Sequence, residues 1–530
     1  MKWILFIIVS LFISFLVKLF LSPSKNKGPY KLPPGPSTFP ILTNFLWLRQ
    51  SPLELESLLR SFIAKYGPIL TVHVGPSPAI IIADRSIAHK ALVQNGAIFA
   101  DRPQALSVNR ITASANLDNI TSAPYGPTWR LLRRNLAAEM LHPSRVRAYS
   151  RARKWVLDIL IARLSAGSGS EGGGSVVVEH LQFAMFCLLV LMCFGDKLNE
   201  TQILEIQQVQ REMLVNLQRF VILNLWPKLM KILLRKRWKE YLQLKSKQQK
   251  VNSPFTSIQN LFKKVLIPFI EAREKVKEER EKTKGEEKEE IVVSYVDTLL
   301  DLQLIDEKRK LKNEEMVNLC SEFLNAGTDT TATTLQWIMA NLVKYPQIQQ
   351  KLFEEIKGVK GSREEEVKEE DLGKLPYLKA VILEGLRRHP PGHFMLPHAV
   401  KEDTTLENYF IPKNGIVNIY AVEMGWDPQV WEDPMAFKPE RFMNDDGGEV
   451  ASTKFDITGS KEIKMMPFGV GRRICPGATL AMLHLEYFVA NLVWKFEWKA
   501  VEGEEVDLSE KMEFTIVMKK PLKAQIHPRF

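Results

Sequence analysis

Cysteine is scarce: the chain has four in 530 residues, at Cys187, Cys193, Cys320 and Cys475. Their spacing makes neither a disulfide framework nor a zinc site, which excludes a cystine-stapled secreted scaffold and favours a reduced, cytosol-facing body. The net charge is +11, but no compact basic block or finger spacing carries it, so nucleic acid is excluded as a partner. A diffuse basic excess suits a membrane surface or an acidic protein partner instead. A dinucleotide fingerprint is missing too: after Gly469 and Gly471, the third glycine position holds Ile474. With no flavin or nicotinamide motif, any redox chemistry here needs electrons from another chain. No internal repeat and no strong interior boundary divide the sequence.

What is present is a globular composition, 45% hydrophobic and 25% charged, long enough for a large core. Residues Trp3 to Leu21 form an apolar run relieved only by Ser10, Ser14 and Lys18, long enough to cross a bilayer as a helix. No small-x-small cleavage site follows, and Lys18, Lys25, Lys27 and Lys31 place positive charge on its C-terminal side. The expectation is an uncleaved anchor over residues 1–22 with the body in the cytosol. Leu32-Pro33-Pro34-Gly35-Pro36 closes a proline-stiffened hinge over residues 23–36, and residues 37–530 form the body. Phe183 to Phe194 is also apolar but too short to span a membrane, and reads as a core helix.

Alternating residues at Leu70–Val74 and Ala79–Ala83, separated by Gly75-Pro76-Ser77-Pro78, predict a hairpin. From about Leu131 onward helical spacing dominates, so the fold class is mainly α with a minor β-sheet region. Ser165–Ser175 reads as a Gly/Ser-rich surface loop, and Glu271–Glu290 as a solvated helix or loop without a function. Phe220–Tyr241 interleaves apolar and basic residues as an interfacial helix does, although an ordinary basic surface helix has the same pattern.

The most informative segment is Phe468-Gly469-Val470-Gly471-Arg472-Arg473-Ile474-Cys475-Pro476-Gly477, which sets one cysteine just before an apolar helical run. Backbone N–H groups and the positive end of a helix beginning near Gly477 and Ala478 favour a thiolate at that position. Gly471 and Gly477 allow unusual backbone shapes and close approach by a flat ligand. A second segment, Ala326-Gly327-Thr328-Asp329-Thr330-Thr331, lies in a helical stretch from about Glu314 to Val343. One glycine and three threonines are poor helix interior, so a local purpose is required. Ala326 and Gly327 precede Thr330 by four and three residues, which groups small side chains with a hydroxyl on one face.

The cysteine loop resembles the haem-binding signature Phe-x-x-Gly-x-Arg-x-Cys-x-Gly of the cytochrome P450 monooxygenases, matched at Phe468, Gly471, Arg473, Cys475 and Gly477. The resemblance, which spans most of the chain, implies a cytochrome P450 fold holding haem b (iron protoporphyrin IX). It makes Cys475 the axial iron ligand, with Phe468 beside the sulfur and Arg473 on a propionate. The Ala326–Thr331 segment resembles the family's oxygen-handling motif, which casts Asp329 and Thr330 as the acid and alcohol that deliver protons. Glu384-Gly385-Leu386-Arg387 and Pro439-Glu440-Arg441-Phe442 resemble the family's structural motifs, so Glu384, Arg387 and Arg441 are assigned to fold and haem retention. Trp129 and Arg133 resemble an element reaching one propionate, and His398 falls where the family places a residue near the other.

By the same resemblance, residues 103–121, 323–330, 391–396 and 512–517 border the substrate pocket, with Phe394, Met395, Leu396, Phe514 and Ile516 as an apolar lining. The implied activity is insertion of one atom of O2 into an apolar or amphipathic small molecule. Electrons would come from a separate NADPH-cytochrome reductase, at the endoplasmic reticulum membrane in contact with membrane lipid. Two alternatives use the same Cys475: a haem-thiolate isomerase or dehydratase, whose relatives usually depart from the intact Asp329-Thr330 pattern, and a non-catalytic haem sensor.

Overall fold

The computed structural model describes residues 31–36, 52–74, 77–103, 118–167, 175–221, 254–282, 292–304, 308–361, 365–443 and 455–530. The expected anchor, the Phe220–Tyr241 segment beyond Val221, most of the Pro103–Thr121 loop and the centre of the Ser165–Ser175 loop lie outside them.

Helices dominate. The longer ones are α1 (Pro52–Tyr66), α2 (Pro127–Asn135), α3 (Ser150–Gly167), α4 (Val177–Phe194), α5 (Glu200–Val221), α6 (Pro254–Lys282), α7 (Asn313–Lys344), α8 (Pro346–Lys360), α9 (Pro376–Arg388) and α10 (Ala478–Lys495). Local chemistry sets several ends. Prolines that cannot donate open α2, α8 and α9 at the first turn. Gly195 ends α4 at φ 81°, returning its N–H to the Leu191 carbonyl at 2.8 Å. At the start of α7, Glu315 accepts the Lys312 N–H at 2.7 Å and is gripped from the side by Arg309.

The expected hairpin forms: β1 (Ile69–Val74) pairs antiparallel with β2 (Ser77–Ile82), Leu70 opposite Ile81. Strand β2 also runs parallel to β4 (Ile416–Ile419), and β4 pairs with β3 (His398–Ala399), giving the order β1-β2-β4-β3. Near the C-terminal end β5 (Phe496–Ala500) pairs with β8 (Lys523–Pro528). Between them β6 (Glu510–Met512) and β7 (Ile516–Met518) form a small hairpin.

The main core lies around α7, whose residues 331–343 are all buried, and against α4, which is apolar on every side from Phe183 to Phe194. Helix α4 is core, as the sequence indicated, but not for being too short: among the described helices it alone is long and apolar enough to cross a membrane, and burial inside the body decides. The C-terminal residues of the expected hinge are docked on the body: Thr71 donates to the Pro33 and Pro34 carbonyls, and Phe410 to that of Lys31. A Cβ at Gly35 would stand 1.9 Å from the Thr71 carbonyl oxygen, so glycine is required there by close packing. The part of Glu271–Glu290 within α6 is likewise more than a solvated face. Arg273 is buried and donates to both oxygens of Asp297, at 2.8 and 2.6 Å.

Candidate functional site

The cysteine loop is shaped by two left-handed glycines, Gly469 at φ 71° and Gly471 at φ 74°. At Gly471 a Cβ would meet the Leu92 carbonyl oxygen at 2.1 Å, so this glycine serves contact with the protein's own backbone. Gly477 has an ordinary φ of −86°, with the Cys475 sulfur as its nearest neighbour at 3.9 Å from a built Cβ. The loop closes through the Cys475 N–H, which donates to the Phe468 carbonyl at 2.8 Å. Phe468 packs against the main core.

Of the four cysteines, only Cys475 is exposed at its surface; Cys187, Cys193 and Cys320 are buried. Enough protein surrounds the Cys475 thiol that burial pushes it upward, while the Gly477 N–H and the Arg133 guanidinium pull it down. Helix α10 begins three residues later, at Ala478, and turns its positive end toward the loop.

Three arginines gather on one side of this loop. Arg473 donates to the carbonyls of Ala100, Ile120 and Ala123 at 2.8, 3.1 and 2.6 Å. Arg133, on α2, donates to the Ile474 carbonyl at 2.6 Å. Arg102 donates to the carbonyls of Thr121, Leu396 and Pro397 at 2.9, 2.9 and 2.7 Å. Among the described residues none of the three forms an ion pair with a carboxylate. Burial and the charges of Arg102 and Arg133 bring Arg473 down to about 9, and burial brings Arg102 to about 10. Trp129 donates its indole N–H to the Ile120 carbonyl at 3.0 Å and lies under Arg473, 4.5 Å from guanidinium carbon to ring centre. The stacked partner of Trp129 is therefore Arg473, with Arg133 farther off at 6.0 Å.

His398 donates from Nδ1 to the Phe99 carbonyl at 2.6 Å, which leaves Nε2 unprotonated in the neutral ring. Burial, reinforced by Arg102 and Arg473, lowers it to about 3. One residue the sequence did not single out ties the arginines to α7. Glu322 accepts the N–H groups of Ile120 and Thr121 at 2.9 and 2.6 Å, and the Ile120 carbonyl serves Trp129 and Arg473. No spacing signal could have paired positions 202 residues apart.

On α7 the structure divides the Ala326–Thr331 segment. A Cβ at Gly327 would stand 2.2 Å from Leu189 Cδ1 of α4, so Gly327 is a packing notch between two helices, which corrects its expected place beside a flat cofactor. Ala326 is exposed on the open side. Thr330 donates its hydroxyl to the Ala326 carbonyl at 2.7 Å and keeps its oxygen lone pairs as acceptors. Asp329, one residue earlier and so turned by about 100° on the helix, accepts instead from the Thr515 hydroxyl at 3.1 Å. Burial raises the Asp329 carboxyl above its ordinary range.

Glu384 is fully buried and receives Arg387 at 2.7 and 2.8 Å and Arg441 at 3.1 Å, as expected of the structural charge cluster. Of the expected pocket lining, Phe394 is half-buried and stacks on Tyr420 at 4.5 Å, while Ile516 is buried beside Trp337 and belongs to the core. Leu396 and Phe514 are half exposed, at 56% and 50%, and Met395 packs toward Gly469.

A soft sulfur donor with guanidinium groups that lack anionic partners suits an iron porphyrin carrying carboxylates, and in a mainly helical body that donor set defines the haem-thiolate class. The family profile named Cytochrome P450 matches residues 33–528. The chain belongs to that family, the haem-thiolate monooxygenases. It is 50% identical to cytochrome P450 89A9 of Arabidopsis thaliana, with 99% of each chain covered. It is 30% identical to cytochrome P450 98A1 of Sorghum bicolor, covering 94% of this chain and 92% of the relative. A solved zebrafish cytochrome P450 with abiraterone shares the fold, with a TM-score of 0.65, 21% identity, and 88% of this chain and 98% of that one covered.

Proposed function

We propose that this chain inserts one atom of O2 into an apolar or amphipathic small organic substrate and reduces the other to water. In this reading the Cys475 sulfur would hold haem b, with Phe468 in the same loop and the Gly477 N–H donating to the sulfur. Arg473, Arg133, Trp129 and His398 would hold its propionates. The observation that carries the reading is the contrast among cysteines: the three apolar-core thiols are sealed, while Cys475 alone is open and faces a helix N-terminus. The bound haem supplies oxygen activation, favoured by electron density from the thiolate.

The chain's own contribution is to hold charge and move protons. The arginines gain the anions they lack when propionates arrive, which retains the group. Asp329 and Thr330 deliver protons: Asp329 is a half-buried carboxyl held up by burial, and Thr330 keeps a free acceptor on the open side of α7. Electrons come from an NADPH-cytochrome reductase on the same membrane. Exposed Arg130, Arg134 and Arg472 on the cysteine side form a basic face for an acidic partner. Residues 1–22 anchor the body, residues 37–530, to the endoplasmic reticulum with the catalytic part in the cytosol. Of the expected 23–36 hinge, residues 31–36 are fixed to the sheet.

The test is a carbon-monoxide difference spectrum of the reduced holoprotein beside Cys475→Ala, followed by NADPH oxidation with reductase. A thiolate-type band lost in the variant is expected, with reductase-dependent oxygen consumption. Imidazole-type bands, or an unchanged spectrum in Cys475→Ala, would overturn the assignment. Turnover of peroxide substrates without reductase would favour the isomerase or dehydratase reading, and ligand binding without any turnover the sensor reading.

A further inference from the structure

The hairpin β6–β7 touches the acid of α7 through a single side chain, and its placement is over-determined. At its base, Glu510 lies 3.3 Å from His389 Nδ1, 3.4 Å from His393 Nε2 and 3.7 Å from Arg388 Nη1. His393 in turn meets both oxygens of Glu56 on α1, at 2.9 and 2.8 Å. Higher up, the Ile516 N–H donates to the Pro391 carbonyl at 2.9 Å, and Trp337 of α7 donates to the Ile516 carbonyl at 2.8 Å. The turn closes with the Glu513 N–H on the Thr515 carbonyl at 2.9 Å. These restraints bring Thr515 to the side of α7, where it is buried at 4% exposure.

There its hydroxyl donates to Asp329 Oδ2 at 3.1 Å and lies 3.1 Å from the Thr333 hydroxyl. A hydroxyl has one proton to give. With Thr515 donating to Asp329, the proton between the two threonines must come from Thr333, so the order runs Thr333 to Thr515 to Asp329. When Asp329 carries a proton the same oxygens can hold the chain in the opposite direction.

We propose that Thr515 is a positioning residue for proton delivery, holding the Asp329 carboxyl in one orientation and setting how readily it gives up its proton. This rests on Asp329 acting in the relay. The other charged groups that bear on Asp329 are Arg211 on α5, which favours the carboxylate, and Glu513 in the same turn as Thr515, which opposes it.

The experiment uses full-length haem-loaded protein as wild type, Thr515→Val, Thr515→Ser, Asp329→Asn and the double variant Asp329→Asn/Thr515→Val. The reduced carbon-monoxide spectrum first establishes that each variant holds haem. The carboxyl stretch of Asp329, identified by its loss in Asp329→Asn, is then titrated by infrared difference spectroscopy without turnover. Losing a donor to the carboxylate shifts the Thr515→Val titration upward by about half to one pH unit, and Thr515→Ser restores it. During NADPH oxidation with reductase and no organic substrate, O2 takes up two electrons and two protons to leave as peroxide, or four of each to become two waters. Slower proton delivery raises the peroxide share in Thr515→Val by about threefold, with a changed pH profile, and adds nothing in the Asp329→Asn background.

An unshifted titration with an unchanged peroxide share in Thr515→Val overturns the proposal, as does an effect that adds in full to that of Asp329→Asn. If Asp329→Asn itself leaves the peroxide share at the wild-type value, the relay reading fails and the role of Thr515 fails with it. If Asp329→Asn raises that share while Thr515→Val does not, only the assignment of Thr515 falls.

Discussion

Two sets of arginines, one on Glu384 and one at the cysteine loop, are finished to different degrees. Around Glu384 two guanidinium groups share one carboxylate: Arg387 is bidentate to it, its remaining donors reach the carbonyls of Gly425, Pro434 and Ala436, and Arg441 completes the set. Around Arg473 the donors find only carbonyl oxygens, and the positive charges depress one another. The first set needs nothing from outside and fixes α9 to the segment before the cysteine loop. The second is stable only as far as hydrogen bonds to neutral groups allow, which is the condition of a site built for an anion.

The sharpest way to break this contrast is to remove one member of each set. Glu384→Ala leaves the buried Arg387 and the half-buried Arg441 without their carboxylate and should cost about 3–5 kcal/mol, seen as a collapse of the thermal unfolding midpoint and of haem content. Arg473→Ala relieves like-charge repulsion, so the haem-free protein should lose no more than about 1–2 kcal/mol, while haem dissociates about tenfold faster or more. Equal losses in the two haem-free variants would erase the distinction.

A smaller effect separates packing from ligand contact on α7. Gly327→Ala drives a methyl into Leu189 and should destabilise by about 1–3 kcal/mol, with most of that loss recovered beside Leu189→Ala. An undiminished loss in the double variant would return Gly327 to the cofactor side.

The His393 set makes a prediction in pH. Burial works to lower His393, but Glu510 and Glu56 overcome it and hold it at about 9, above the ordinary 6.5. A base raised on folding lends its stability fully below pH 6.5 and loses it as pH climbs through about 9. The unfolding midpoint should therefore fall across that interval in wild type, and this part of the slope should be missing in His393→Asn. The smallest expected effect is His398→Gln. The histidine is neutral and uses one N–H toward Phe99, which an amide can copy, so haem retention should change by less than about 1 kcal/mol.

Much of the site was legible before folding because its parts are local. Cys475, Gly471, Gly477 and the start of α10 fall within ten residues, where loop geometry and helix polarity follow directly from residue order. The hairpin of β1 and β2 and the core character of α4 were readable for the same reason, from alternation and from unbroken apolar composition. The reading went astray where a residue's purpose lay across the fold. Gly327 is small because of Leu189 on another helix, and Ile516 turns into the core. Glu322 and Thr515 gave no local sign, since each acts on a partner more than 180 residues away.

The order of residues by itself determined the helical body and the cysteine loop, since hydrophobic period, glycine backbone freedom and helix polarity act over a few residues. Tertiary structure alone decided which arginines lack an anion, which hydroxyl meets Asp329, and which cysteine stays open. Those depend on burial and on distances of about 3 Å between distant segments, and charge and hydrogen-bond energies are set at that range.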